Sequence, residues 1–170
     1  RKPHIPLRVI ENTALKAWLK KQKPSIQTVA SEAGFDQEEC LILPLIDASG
    51  RVTEVLARMG KDVHFYDMAR LVDKITMLFS TSFLKKTSFE IIGLKGKNLE
   101  TACVSWGLAD YRFDAYKKDN EKGTAVLVLP SGVNKKYVHS MVESVNALRD
   151  LVNTPASDMG RPPCRRSQRA

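Results

Sequence analysis

The sequence is poor in cysteine, and the three it has form no pattern. Cys40, Cys103 and Cys164 include no CxxC pair, and none has a histidine at ligand spacing. This excludes a disulfide framework and a zinc-ribbon type of site, and it fits a reduced, cytoplasmic compartment. His4, His64 and His139 lie far apart and share no ligand motif, so each reads as a surface or satisfied histidine. No apolar run approaches the ~20 residues that a membrane helix needs. No basic-then-apolar leader opens the chain, so neither a membrane partner nor export is expected. A nucleophile elbow is excluded too. In Cys103-Val104-Ser105-Trp106-Gly107 a cysteine stands where the first glycine belongs, and the stretch reads as mid-helix.

What remains is an ordinary globular composition, 43% hydrophobic and 27% charged over 170 residues. That length suffices for one core burying roughly two thirds of the unfolded chain's surface. The net charge of +8 invites a nucleic-acid reading, and its distribution removes it. Residues 1–24 carry seven Lys/Arg against one acid, and residues 161–170 carry four arginines and no acid. The body, 25–160, has sixteen basic and eighteen acidic residues. The excess sits at the two ends, and a nucleic-acid partner is not expected.

Taken in order, Ile5, Leu7 and Val9 alternate as a strand. Asn12 or Thr13 is placed to cap a helix with Leu15, Trp18 and Leu19 inward and Lys16, Lys20, Lys21 and Lys23 solvated. Pro24 ends it. Ser25 caps a second helix running to Gly34, with Ile26, Val29, Ala30 and Ala33 inward. Cys40–Leu45 and Val52–Met59 form a hairpin about Asp47-Ala48-Ser49-Gly50. A helical face comes next in Phe65, Met68, Leu71, Val72, Ile75 and Leu78, then a polar loop from Ser80 to Thr87. Ser88–Leu94 is strand-like, and Asn98 caps a helix from Leu99 to about Phe113. Past a charged connector, Ala125–Leu129 is apolar without a break, as in a strand covered on both faces. The final helix, 135–152, keeps its period through Val138, Met141, Val142, Val145, Leu148 and Leu151. It stops at Asn153-Thr154-Pro155, where proline cannot continue it. Strands alternating with helices predict an α/β fold, a layered and mostly parallel sheet with flanking helices. Residues 161–170 have no periodicity, and a disordered basic tail is expected there.

Gly93, Gly96, Lys97 and Asn98, between a strand and a helix, are a candidate anion loop. The phosphate-loop pattern itself fails, since Ile91 stands at the first glycine and Asn98 at the Ser/Thr. A tight turn and a cap explain the same residues.

Two stretches together resemble a known family. One is Ser105-Trp106-Gly107-Leu108-Ala109-Asp110-Tyr111-Arg112-Phe113-Asp114-Ala115-Tyr116-Lys117. The other is Asn153, Thr154, Pro155, Ala156, Asp158, Met159 and Gly160. Their residues, order and separation are similar to those of the leucyl (cytosol) aminopeptidases, in the shorter bacterial branch, and the likeness covers residues 5–160. The resemblance implies an N-terminal, macro-domain-like unit: a small α+β segment at 1–60, a macro-like α/β segment at 61–152, and a junction at 153–160. Asn153, Thr154, Pro155, Asp158, Met159 and Gly160 would be structural at that junction. It further implies a hexameric metallo-aminopeptidase that removes N-terminal residues from peptides with two divalent ions, zinc or manganese. The metal-binding lysine, aspartates and glutamate of the family belong to stretches that do not follow Gly160 here. No catalytic or metal residue is therefore assigned, and the 170 residues alone are expected to be inactive, their partner being the catalytic domain. The alternative is a free-standing macro-like module binding ADP-ribose or another nucleotide at the 93–98 loop. The last helix is expected to show an apolar stripe that a following domain would cover, favouring self-association.

Overall fold

The middle of the fold is β1 (His4–Glu11), the strand announced by the alternation of Ile5, Leu7 and Val9. The computed structural model describes residues 4–37, 42–113, 115–116 and 124–159. Cys40, Leu41, Gly160, Cys164, the connector after Tyr116 and the tail from Arg161 lie outside these residues. After β1 come α1 (Asn12–Leu19), α2 (Pro24–Glu32), β2 (Ile42–Ile46), β3 (Val52–Met59), α3 (Phe65–Leu78) and α4 (Thr81–Lys86). The chain continues through β4 (Ser88–Ile92), α5 (Gly96–Ala109), β5 (Val126–Val128) and α6 (Lys135–Asn153).

The strands make one sheet in the order β2-β3-β1-β4-β5. β1 runs parallel to β3 and β4, β4 parallel to β5, and among the described strands only the β2–β3 hairpin is antiparallel. The expected mostly parallel α/β sheet is therefore what forms. Pro6 lies ahead of Leu7, where pairing with β3 begins, so a residue without an N–H meets a neighbouring strand on one side only.

Side-chain alternation divides the core between the two faces of the sheet. Leu7 and Val9, with Val55, Ala57, Phe89 and Ile91, pack under α3, α5 and the start of α6. Ile10, Leu43 and Leu56 meet Leu15 of α1, Ala30 of α2 and Phe35 on the other face.

Several local expectations are corrected. Asn12 and Thr13 lie inside α1, whose N-cap is Glu11, and Asn12 Oδ1 instead accepts from Arg58 Nε at 2.6 Å. Pro24 opens α2 at a position where the missing N–H costs nothing. Of the four residues expected inward there only Ala30 is buried, in one cluster with Phe35, while Ile26 is half-buried and Val29 and Ala33 are exposed. The Ser80–Thr87 loop is the short α4, capped by Ser80 accepting from the Phe83 amide at 3.3 Å. Asn98 falls in the first turn of α5, not at its cap, and the helix ends at Ala109. The Ala125–Leu129 run gives the edge strand β5, with Val126 42% exposed. The α5 crossover has to lay β5 beside β4, and the other side of β4 is already taken by β1.

Candidate functional site

The two motif stretches, far apart in sequence, meet where the ends of α5 and α6 lie side by side. The approach is set by Gly107. A Cβ there would stand 2.7 Å from Val142 Cγ2, so the bare glycine lets α6 lie against α5. The inward period of α6, Val138, Val142 and Val145, reaches Arg149 at its next step. Arg149 Nη1 donates to the Leu108 carbonyl at 2.7 Å, an oxygen of the last turn of α5. A cation there suits the negative end of the helix dipole. Its guanidinium also lies 5.2 Å from the centre of the Tyr111 ring.

Tyr111 closes the contact. Its hydroxyl donates to Asp150 Oδ1 at 2.9 Å and accepts from Asn153 Nδ2 at 3.2 Å. Thr154 Oγ1 donates back to the Asp150 carbonyl at 2.6 Å, satisfying an acceptor at the helix end. Thr154 itself is extended (φ −83°, ψ 125°), as a residue before proline must be, and α6 stops. The Asp158 amide then donates to the Pro155 carbonyl at 2.9 Å, and Tyr116 Oη donates to Asp158 Oδ2 at 2.5 Å. Burial and the neighbouring Asp150 hold the Tyr111 phenol above its usual range. The bond to Asp158, with some burial, does the same for Tyr116. Both hydroxyls thus stay protonated and donate. The arrangement fixes a helix end.

Of the expected junction residues, Asn153, Thr154 and Asp158 join this network. Pro155 and Met159 are exposed beside it, and Gly160 lies outside the described residues. Sequence reasoning missed Arg149 and Asp150. The available signal was a charged pair standing where the apolar period of the last helix should have continued inward. Trp106 is core, as its place in a small-residue helix suggests: it is 3% exposed and donates from Nε1 to the Ala125 carbonyl at 2.7 Å. Arg112 is exposed.

The candidate anion loop is divided. Gly93 has φ 96°, and a Cβ there would lie 2.3 Å from the Val9 carbonyl oxygen, so its place is dictated by β1. Gly96 and Lys97 line a cavity of about 530 Å³ with Phe65, Thr101, Gly132 and Tyr137, and Glu100 puts a carboxylate on the same wall. Gly93 and Asn98 are not among its lining residues. Cys103 is buried, and burial, with Glu100 adding, pushes its thiol up to about 11, which suits a packed hydrophobe and not a nucleophile. His4 Nδ1 lies 2.6 Å from Ser88 Oγ, His64 precedes α3, and His139 is exposed on α6. Among the described residues no three or more His, Cys, Asp or Glu are gathered as a metal ion requires. The donor set of a two-metal centre does not fit these residues, and no metal step is derived from them. Among them, too, no helix is long and apolar enough to cross a membrane.

Residues 5–130 match a family model described as the M17 aminopeptidase N-terminal domain. No curated protein matches the chain. The solved structure of cytosol aminopeptidase from Coxiella burnetii is similar at 25% identity and a TM-score of 0.75, over 94% of this chain and 33% of that one. A tomato leucine aminopeptidase variant shares the fold at 13% identity and a TM-score of 0.51, over 92% of this chain and 36% of that one. So does the bottromycin maturation enzyme BotP in complex with Mn, at 14% identity and a TM-score of 0.54, over 91% and 32%. The chain spans about a third of the length of the solved structures it matches.

Proposed function

Because the chain belongs to the M17 aminopeptidase family as its N-terminal domain, we propose that it is the non-catalytic half of a leucyl-aminopeptidase-like exopeptidase. The complete enzyme would release N-terminal residues from peptides in the cytoplasm, using two divalent ions, zinc or manganese, held by a catalytic domain, and would work as a hexamer. The part of these residues is to pack beside the catalytic domain and to deliver the polypeptide to it in a set direction. Residues 1–60 and 61–152 act as one unit, since β1 from the first segment pairs with β4 from the second.

The observation that supports this reading is the coupling of the two resembling stretches through Tyr111, Asp150 and Asn153. A helix end needs only a cap and a proline to stop. Here a second helix's tail is also tied to it, and Tyr116 restrains the residues after the proline. Asn153, Thr154, Pro155, Asp158 and Met159 are thereby a directed exit at the protein surface, not a catalytic constellation. The test is hydrolysis of a leucine chromogenic amide by the purified 170-residue chain with added manganese or zinc. No turnover is expected. Turnover, or saturable heat on titration with ADP-ribose, overturns the reading.

A further inference from the structure

Three helices start around one cleft. Phe65 opens α3 after β3, Gly96 opens α5 after β4, and Gly132 lies between β5 and α6. All three line the same cavity of about 530 Å³. Since β3, β4 and β5 run in one direction, the cleft sits beyond their carboxyl ends, where open α/β sheets hold small ligands. Its volume falls within the range of small-molecule sites.

Two side chains on its wall have no role in the fold. Lys97 stands in the first turn of α5, where the positive end of the helix dipole disfavours a cation, and no acid in that turn offsets it. Glu100, half-buried, follows one turn later on the same wall. Residues three apart on a helix are neighbours, about 5–6 Å between Cβ atoms, so a mutual ion pair is within reach. It does not form. Neither side chain makes an ion pair or a hydrogen bond with any described residue. The hydroxyl of Tyr137, on the other side of the cavity, makes no hydrogen bond either. Phe65 and Val104 supply the apolar part of the lining. A breach of local preference that packing does not require marks a place shaped by something else.

We infer that this cleft binds a free α-amino acid with a large apolar side chain. A zwitterion is what the wall complements: its carboxylate faces Lys97 and the start of α5, where the cap residue Lys95 offers no side-chain bond, and its ammonium faces Glu100. The apolar side chain lies on Phe65 and Val104. Glu100 decides the class. Phosphate or a nucleoside diphosphate would bring several negative charges against that carboxylate, and a simple cation would meet Lys97 and the positive helix start. An amino acid is also what an exopeptidase releases, but the binding is a property of these residues and does not rest on that assignment. Its failure would leave the domain assignment standing.

The experiment is an amide NMR titration of the 170-residue chain with L-leucine and with L-phenylalanine, to about 20 mM because ligands this small bind weakly. Saturable shifts around residues 96–101 and 132–137 are expected with at least one of the two. Leucinamide lacks the carboxylate and N-acetyl-L-leucine lacks the ammonium. Each of these, and inorganic phosphate, is expected to bind at least about tenfold more weakly for want of one charge-assisted contact. Lys97→Met and Glu100→Gln should weaken the amino acid to a similar degree, with spectra unchanged away from the cleft. Glu100→Gln alone should also erase the preference over N-acetyl-L-leucine, a change that a merely structural glutamate would not produce. No saturation with either amino acid, equal binding of phosphate, leucinamide or N-acetyl-L-leucine, or an affinity indifferent to Glu100→Gln overturns the inference.

Discussion

Tyr111 and Asp150, thirty-nine residues apart in sequence, share a 2.9 Å hydrogen bond that ties the segment after α5 to the last turn of α6. The same hydroxyl receives a bond from Asn153, so a single oxygen holds two residues of the helix end in place. Tyr111→Phe keeps the ring under Arg149 and deletes only this oxygen. Loss of a hydrogen bond of ordinary strength, about 1 kcal/mol, should speed hydrogen exchange at the amides of residues 151–154 about fivefold and leave β1 unchanged. Equal acceleration in β1 would mean that the bond supports the whole domain and not the exit.

Gly107 and Val142 meet where α5 and α6 pack, a Cβ on residue 107 falling 2.7 Å from Val142 Cγ2. Glycine in mid-helix costs about 1 kcal/mol relative to alanine, which packing must offset. Gly107→Val should therefore destabilise by roughly 1–3 kcal/mol in urea unfolding. Val142→Ala in the same chain should recover part of the loss, a coupling that a double-mutant cycle measures. No recovery would place the strain elsewhere.

Gly93 and Gly96 both have positive φ, yet only Gly93 meets an obstacle, the Val9 carbonyl. Gly96→Ala meets open space and carries the cost of left-handed backbone alone, roughly 1 kcal/mol. Gly93→Ala adds a backbone collision and should cost at least about 3 kcal/mol. Comparable thermal melts for the two variants would contradict the steric role of Gly93.

Asp47 closes the hairpin turn by accepting from the Ser49 hydroxyl at 2.6 Å and from the amides of Ser49 and Arg51. The Ser49 hydroxyl bond first, then the Arg51 amide, lower its carboxyl to about 2. A depressed acid stabilises the fold fully above its unfolded value near 3.9. That stabilisation is lost as pH falls through about 2, within a window of about 4 to 2. A carbon-detected NMR titration should find Asp47 still ionised at about pH 3; a midpoint near 4 would show that the turn does not hold in solution.

The sequence by itself determined the class of fold, the hairpin about Asp47 and the long last helix with its stop at Pro155. Each of these rests on local physics: alternation at two or 3.6 residues, turn chemistry, and a missing N–H. It also carried the resemblance in the stretches ending at Lys117 and beginning at Asn153. Tertiary structure alone decided that β1 and not the more apolar β5 lies at the centre, since strand order depends on which neighbours are already taken. It alone brought Tyr111 to Asp150 and made Gly93 a neighbour of Val9, because such contacts depend on how helices and strands approach across tens of residues. No period in the chain encodes that distance.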